Sequence, residues 1–210
     1  MKQVSNLSAL DFIEHGFYTA QDSQNDPSPI LMNQVHSADA LFLTKKPVEP
    51  PAVDALITQT PYLNLTVKTA DCAPVLLADP SSHMIAAVHA GWKGAFQGVI
   101  ESTLLEMIRH GANLNTIRAG IGPHIQMKSF EMGADIKALF PKTEEVFFKT
   151  DGNRILFDFD AYVIHRLKRA GVQSVESVGD DTYSNMMYFS YRRDPLDKNR
   201  QFSSIMIKGE

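Results

Sequence analysis

The chain has 210 residues, 44% of them hydrophobic, with a formal charge of −4 and an isoelectric point near 6.0. That much apolar material buries one sizeable core, which sets aside a disordered chain and favours a single domain over residues 1–210. The acidic balance argues against a general nucleic-acid binder or a binder of anionic membranes; it points to a small soluble partner, with room for a local basic patch around an anion.

The start, Met1 to Asp11, lacks the apolar core of a signal peptide, and no apolar run approaches the ~18 residues of a membrane-spanning helix, so a cytoplasmic location is expected. The single cysteine, Cys72, has no partner for an internal disulfide. Its role must lie in packing, metal binding or nucleophilicity.

In chain order, Gln21 to Pro29 is rich in polar residues and proline, and Lys45 to Pro51 carries three prolines, so both read as surface loops. Strand chemistry follows in Leu41 to Thr44, Ala55 to Thr58, the alternating Leu63 to Thr69, and Pro74 to Ala78. His83 to His89 is nearly all apolar, as expected of a strand buried on both faces. Beyond Ala95 the period changes: Phe96, Val99, Ile100, Thr103, Leu104, Met107 and Ile108 share one helical face, and Gly111 supplies a stop. A strand is expected near Ile117 to Ile121, a helix near Ala134 to Phe140, and strands near Val146 to Lys149 and Arg154 to Phe157. A helix from about Asp160 to Ala170, stopped by Gly171, precedes strands at Val172 to Val175 and Phe202 to Lys208. Strands outnumber helices and do not alternate with them regularly. An α+β domain with a large mixed sheet or sandwich flanked by helices fits better than a doubly wound fold.

Three residues carry the best metal-ligand chemistry: His36, Cys72 and His89. Two nitrogens and a sulfur would leave a tetrahedral Zn²⁺ one open position, as in catalytic rather than structural sites. The block His89-Ala90-Gly91-Trp92-Lys93-Gly94 reads as a strand-to-helix turn whose glycines admit close backbone approach and whose following helix start favours an anion. The ligand separations, 36 and 17 positions, match no local zinc-finger rule. Two readings stay open on the residues alone: a metal site, or a cysteine nucleophile with a histidine base.

The blocks Gln34-Val35-His36, Asp54-Ala55-Leu56-Ile57-Thr58, Thr69-Ala70-Asp71-Cys72 with Pro74-Val75-Leu76-Leu77, His89-Ala90-Gly91-Trp92 and Ser190-Tyr191-Arg192-Arg193-Asp194 resemble the signature blocks of the laccase-domain family. That family is also called polyphenol oxidase or peptidoglycan editing factor. The resemblance runs from His15-Gly16-Phe17-Tyr18-Thr19 to the carboxyl end. It implies one zinc on His36, Cys72 and His89, in an α+β domain related to a cysteine-hydrolase fold. It also implies purine nucleoside chemistry: phosphorolysis of adenosine, inosine, guanosine and methylthioadenosine, and deamination of adenosine. Nucleoside and phosphate would be the partners.

On that reading the catalytic candidates are Cys72, His89 and Asp71, the last as an orienter of a ligand histidine or an activator of water. The phosphate candidates are Arg192, Arg193 and Arg200, with Lys93, while His124 is a candidate proton donor. The chain departs from the family pattern in several places. Lys93 replaces an arginine, Ser37 a glycine and His124 a cysteine, and only about 16 residues separate Thr19 from His36. Three rival functions are an amide hydrolase acting on cytoplasmic peptidoglycan precursors, a copper-dependent phenol oxidase, and a non-catalytic zinc or nucleoside-binding module. Several coppers need clustered histidine motifs that this chain lacks, so copper in the His/Cys/His site is expected to be adventitious.

Overall fold

The computed structural model describes residues 1–22 and 28–209. Of the Gln21–Pro29 loop, residues 23–27 therefore lie outside the described residues. The elements are α1 (Ser5–Ser8), β1 (Ile13–Phe17), β2 (Ala40–Leu43), β3 (Ala55–Thr58), β4 (Leu65–Thr69), β5 (Ala73–Asp79), β6 (Met84–Ala90), α2 (Trp92–Gln97), α3 (Val99–Arg109), β7 (Arg118–Ile121), α4 (Ala134–Lys137), β8 (Phe148–Asp151), β9 (Arg154–Phe157), α5 (Phe159–Arg169), β10 (Ser174–Ser177) and β11 (Gln201–Ile207).

A six-stranded sheet of order β10-β7-β5-β6-β3-β2 forms the centre. Its outer pairs, β10 with β7 and β2 with β3, are parallel and the inner pairs antiparallel, so the sheet is mixed. A three-stranded antiparallel sheet, β1-β11-β4, packs on one face, and helices cover the other. The period of two along a strand sorts side chains between these layers. Val75 and Leu77 of β5 and Ala86 and Val88 of β6 join the helix-side core, while Leu76, Ala78, Ile85 and Ala87 join the core beneath the small sheet. Two-sided burial is why β5 and β6 read as continuous apolar runs. The result is one α+β domain.

Several elements differ from the sequence expectation. The helix from Ala95 to Ile108 is two helices, α2 and α3, broken at Gly98, whose φ of +99° lies in the left-handed region that only glycine adopts at little cost. Leu104 and Met107 still face the core, so the periodicity was that of α3 alone. The helix expected to reach Phe140 stops after one turn, at Lys137. The strand expected at Val146 starts at Phe148, after a 3-10 turn over Lys142–Phe147, and the strand expected from Val172 starts at Ser174. Gly111 and Gly171 stop their helices with φ of +97° and +110°. β1 and α1 were not anticipated: each is short, and β1 is held by its ladder to β11 rather than by local pattern.

The amino-terminal segment is fastened by one buried histidine. His15 is 6% exposed, and its Nε2 accepts the Val4 N–H at 3.2 Å, while Glu176 accepts the N–H groups of Ser5 and Asn6 at the start of α1. Burial pulls the His15 pKa down to about 4 against the attraction of Glu176. The unfolded chain then binds the proton first as pH falls, so stability present above pH 6.5 is lost between 6.5 and about 4. The loss should reach roughly 3 kcal/mol at the acid end of that window. Denaturant titrations of metal-free protein should show it, and His15→Gln should flatten the slope. Equal slopes in the two proteins would remove His15 as the cause.

Candidate metal centre

His36, Cys72 and His89 offer donor atoms that all lie within 4.8 Å of one another. This is the group of three or more such side chains close enough to share an ion among the described residues. Each comes from a different element. His89 sits on the central strand β6 and is 3% exposed, Cys72 is half-buried in the turn before β5, and His36 lies in the loop leading to β2.

Asp54, the residue before β3, ties these pieces together. Its Oδ1 accepts His89 Nδ1–H at 2.7 Å, and its main-chain oxygen accepts the His89 N–H at 2.8 Å. The same carboxylate accepts three successive backbone N–H groups, from Val35, His36 and Ser37, plus the Ser37 hydroxyl. Successive N–H groups curled around an anion are a backbone nest, and they hold His36 at φ +58°, a conformation a histidine rarely adopts. The Ser37 side chain adds a hydroxyl bond to that nest. Asp54 thereby fixes both histidines and leaves Nε2 as the His89 nitrogen that can turn to an ion, the side chain also hydrogen-bonding Cys72.

The electrostatics suit cation binding. Burial opposes charge on His89, but Cys72 and the Asp54 carboxylate beside it win and raise its pKa to about 9. Burial also opposes ionisation of Asp54, yet the bonds from His89 and Ser37 bring it down to about 2. Burial and the charges of His89 and Lys93 keep His36 below its ordinary value. A cation arriving at His89 takes the place of a proton. Gly91 leaves the necessary space: a Cβ there would lie 2.6 Å from His36 Nδ1 and 3.2 Å from Cys72 Sγ. One soft sulfur, two imidazoles and a supporting carboxylate fit a zinc-type ion with an open position.

The three donors line a cavity of about 730 Å³. Trp92, Ile125, Phe130 and Phe159 give it an apolar wall, and Arg192 and Arg200 also line it, Arg200 Nη1 donating to the carbonyls of Asp197 and Asn199 at 3.2 and 2.6 Å. Arg192 lies over the Phe130 ring, 5.6 Å from its centre, and donates to the Glu131 carbonyl at 3.0 Å. Asp71 also lines the cavity, with φ of +86°. Its Oδ1 accepts the Thr182 hydroxyl at 2.7 Å and its Oδ2 the Arg192 N–H at 2.6 Å. Asp71 is thus a clamp between the Cys72 turn and the 182–192 segment, and the orienter of the ligand histidine is Asp54.

Three other sequence candidates lie outside the cavity wall. Arg193 donates to the carbonyls of Thr182, Tyr183 and Tyr188, so its guanidinium is consumed in holding that segment. His124 is fully buried; its Nδ1–H donates to the Gly122 carbonyl at 2.8 Å, and Gln126 Nε2 lies 3.2 Å from its other nitrogen. Lys93 acts on the site only as a nearby charge on His36.

A His/Cys/His cluster that could hold a metal ion thus lies on the wall of an open cavity in a helix-covered α+β sandwich. The chain belongs to the family described as multi-copper polyphenol oxidoreductase laccase, whose model matches residues 17–208. It is 33% identical over 224 aligned residues to the purine nucleoside phosphorylase RC0672 of Rickettsia conorii, covering 99% of this chain and 90% of that protein. It is 35% identical over 175 residues to the purine nucleoside phosphorylase YfiH of Escherichia coli, covering 81% and 71%. Among solved structures, Neisseria meningitidis protein NMB0706 superposes with a TM-score of 0.81 at 31% identity, over 90% of this chain and 78% of that one. YlmD from Geobacillus stearothermophilus shares the fold, with a TM-score of 0.78 at 23% identity, over 86% and 74%. No helix among the described residues is long and apolar enough to cross a membrane.

Proposed function

We propose that this chain, acting as one unit over residues 1–210 in the cytoplasm, is a zinc-dependent purine nucleoside enzyme. It splits adenosine, inosine, guanosine and methylthioadenosine with phosphate, and hydrolyses the 6-amino group of adenosine, water supplying the 6-oxygen of inosine and the amino group leaving as ammonia. The observation that carries this reading is a single cavity offering three things together: the His36/Cys72/His89 triad, an aromatic and aliphatic wall, and two guanidinium groups. Two relatives named purine nucleoside phosphorylase support the phosphorolysis part of it.

A zinc ion on His36, Cys72 and His89 would supply a Lewis acid and lower the pKa of water at its open position. The chain's own groups do the rest. Trp92 and Phe130 offer flat apolar faces to the purine. Arg192 and Arg200 hold phosphate by charge-assisted bonds, against the face of the ribose from which its oxygen attacks C1′ while the C1′–N9 bond breaks toward the base. Asp71 is a positioning residue: it holds the Arg192 main chain beside the Cys72 turn.

Metal-defined protein incubated with adenosine should give adenine and ribose 1-phosphate when phosphate is present, and inosine when it is not. The reactions share the purine site and differ in the second substrate. Arg192→Met should raise the phosphate requirement about ten- to a hundredfold, from roughly 1.5–3 kcal/mol of lost charged contact, and lower inosine formation far less. Equal losses in both reactions, with fold and metal content intact, would end the phosphate assignment. Absence of both products would end the nucleoside reading.

A further inference from the structure

The cavity carries more positive charge than one inorganic phosphate requires. Lys68 and Lys198 line it together with Arg192 and Arg200, against one carboxylate, that of Asp71. Both Asp71 oxygens are already engaged, by Thr182 and the Arg192 N–H. Among the described residues none of the four cations has a carboxylate within ion-pair distance. In a chain of net charge −4, four cations lining one cavity against a single carboxylate leave a local excess of positive charge that favours an anion. Arg192 and Arg200 answer one phosphate. Two ammonium groups remain.

Lys198, which is exposed, gives one of its three ammonium protons to the Pro195 carbonyl at 3.2 Å and keeps the others, and Lys68 belongs to a built corner. The Gln34 side chain brackets the Lys68 backbone, its Oε1 accepting the Lys68 N–H at 2.9 Å and its Nε2 donating to the Lys68 carbonyl at 2.7 Å, so the root of this lysine is fixed. The next residue, Thr69, lines the same cavity and is 1% exposed, yet its hydroxyl has no hydrogen-bond partner. Directly opposite it on the β4–β11 ladder stands Gln201, whose Nε2 is likewise buried without a partner. Buried polar side chains are ordinarily paired. The two unpaired groups stand opposite each other on neighbouring strands, and of the pair it is Thr69 that lines the cavity, so its hydroxyl is the one a bound anion can engage.

We infer that Lys68 and Lys198, with the Thr69 hydroxyl, form a second anion subsite that takes the 5′-phosphate of a purine nucleotide. The inference rests on the nucleoside reading above and extends its substrate class to nucleoside 5′-monophosphates. A cavity of about 730 Å³ lies within the range that holds ligands of this size. The ammonium groups meet the 5′-phosphate as point charges, while the two arginines stay with the co-substrate.

The chain's single tryptophan, Trp92, lines the cavity, so its fluorescence reports occupancy without turnover. Titrations with adenosine and with adenosine 5′-monophosphate at low ionic strength should show at least tenfold tighter binding of the nucleotide, a margin that shrinks as salt is added. Lys68→Met with Lys198→Met should erase the margin and leave adenosine affinity unchanged. Lys198→Met alone, at an exposed position, should erase part of it, and so should Thr69→Val. A nucleotide that binds no tighter than adenosine, or a margin that survives in the double variant, overturns the subsite and leaves the nucleoside reading standing. No response to either ligand overturns both.

Discussion

Cys72→Ala is expected to empty the metal centre while leaving the protein folded. Complete four-donor zinc sites are worth about 10–16 kcal/mol, roughly 3 kcal/mol for each donor, so removing the sulfur should weaken binding by more than a hundredfold. The loss in fold stability should be small, because Cys72 is only half-buried in a turn and is not part of either core cluster. Nucleoside turnover should fall with the metal. Elemental analysis after dialysis decides the matter: a full equivalent of metal in Cys72→Ala would remove Cys72 from the ligand set. An unchanged thermal midpoint with the metal gone would separate this effect from unfolding.

Asp54→Asn is the second large effect, and it acts at a residue that touches no substrate. The asparagine amide can donate to His89 Nδ1, which drives the ring proton onto Nε2 and blocks the donor that faces the ion. Metal affinity should fall ten- to a hundredfold. The His89 pKa, now raised to about 9, should drop as well, since the carboxylate is one of the charges that raise it. Asp54→Ala should go further, because it also orphans the N–H groups of Val35, His36 and Ser37, at roughly 1–3 kcal/mol of stability for each group left buried and unpaired. Metal titration by calorimetry, paired with the His89 proton resonance followed against pH, checks both parts. Wild-type affinity in Asp54→Asn would show that His89 is oriented by something else.

Donor chemistry singled out His36, Cys72 and His89, but the residues alone left a metal site and a cysteine nucleophile both open; the family blocks favoured a metal, and the fold brings the three donors together. Their supporting carboxylate was not singled out. Asp54 lies 35 positions from His89 and reaches it only through the β3–β6 pairing, which no short window of sequence contains. The same limit explains the arginines. Arg192 and Arg193 are adjacent and chemically identical, yet one guanidinium reaches the cavity and the other is spent on three carbonyls, a division set by how the 182–193 segment folds back on itself. Lys68 shows the converse: it reads as the polar member of an alternating strand, and only the end of that strand opening into the cavity gives its charge a use. Two-sided burial of β5 and β6 was plain from their unbroken apolar runs. The break at Gly98 was hidden because α3 supplies a convincing helical period without α2.

The nest around Asp54 has a consequence for where the metal comes from. His36 is set by backbone N–H bonds to a carboxylate, and His89 by a central strand and that same carboxylate, so both are placed by the polypeptide before any ion arrives. A zinc finger, by contrast, folds only around its ion. An ion that binds here would enter a finished scaffold, so its acquisition would be separate from folding. In the general order of divalent affinities copper outranks zinc, so strength of binding alone would not favour zinc at such a site. The spacing the scaffold imposes on one sulfur and two nitrogens, together with the ions on offer when the chain is complete, would decide between them.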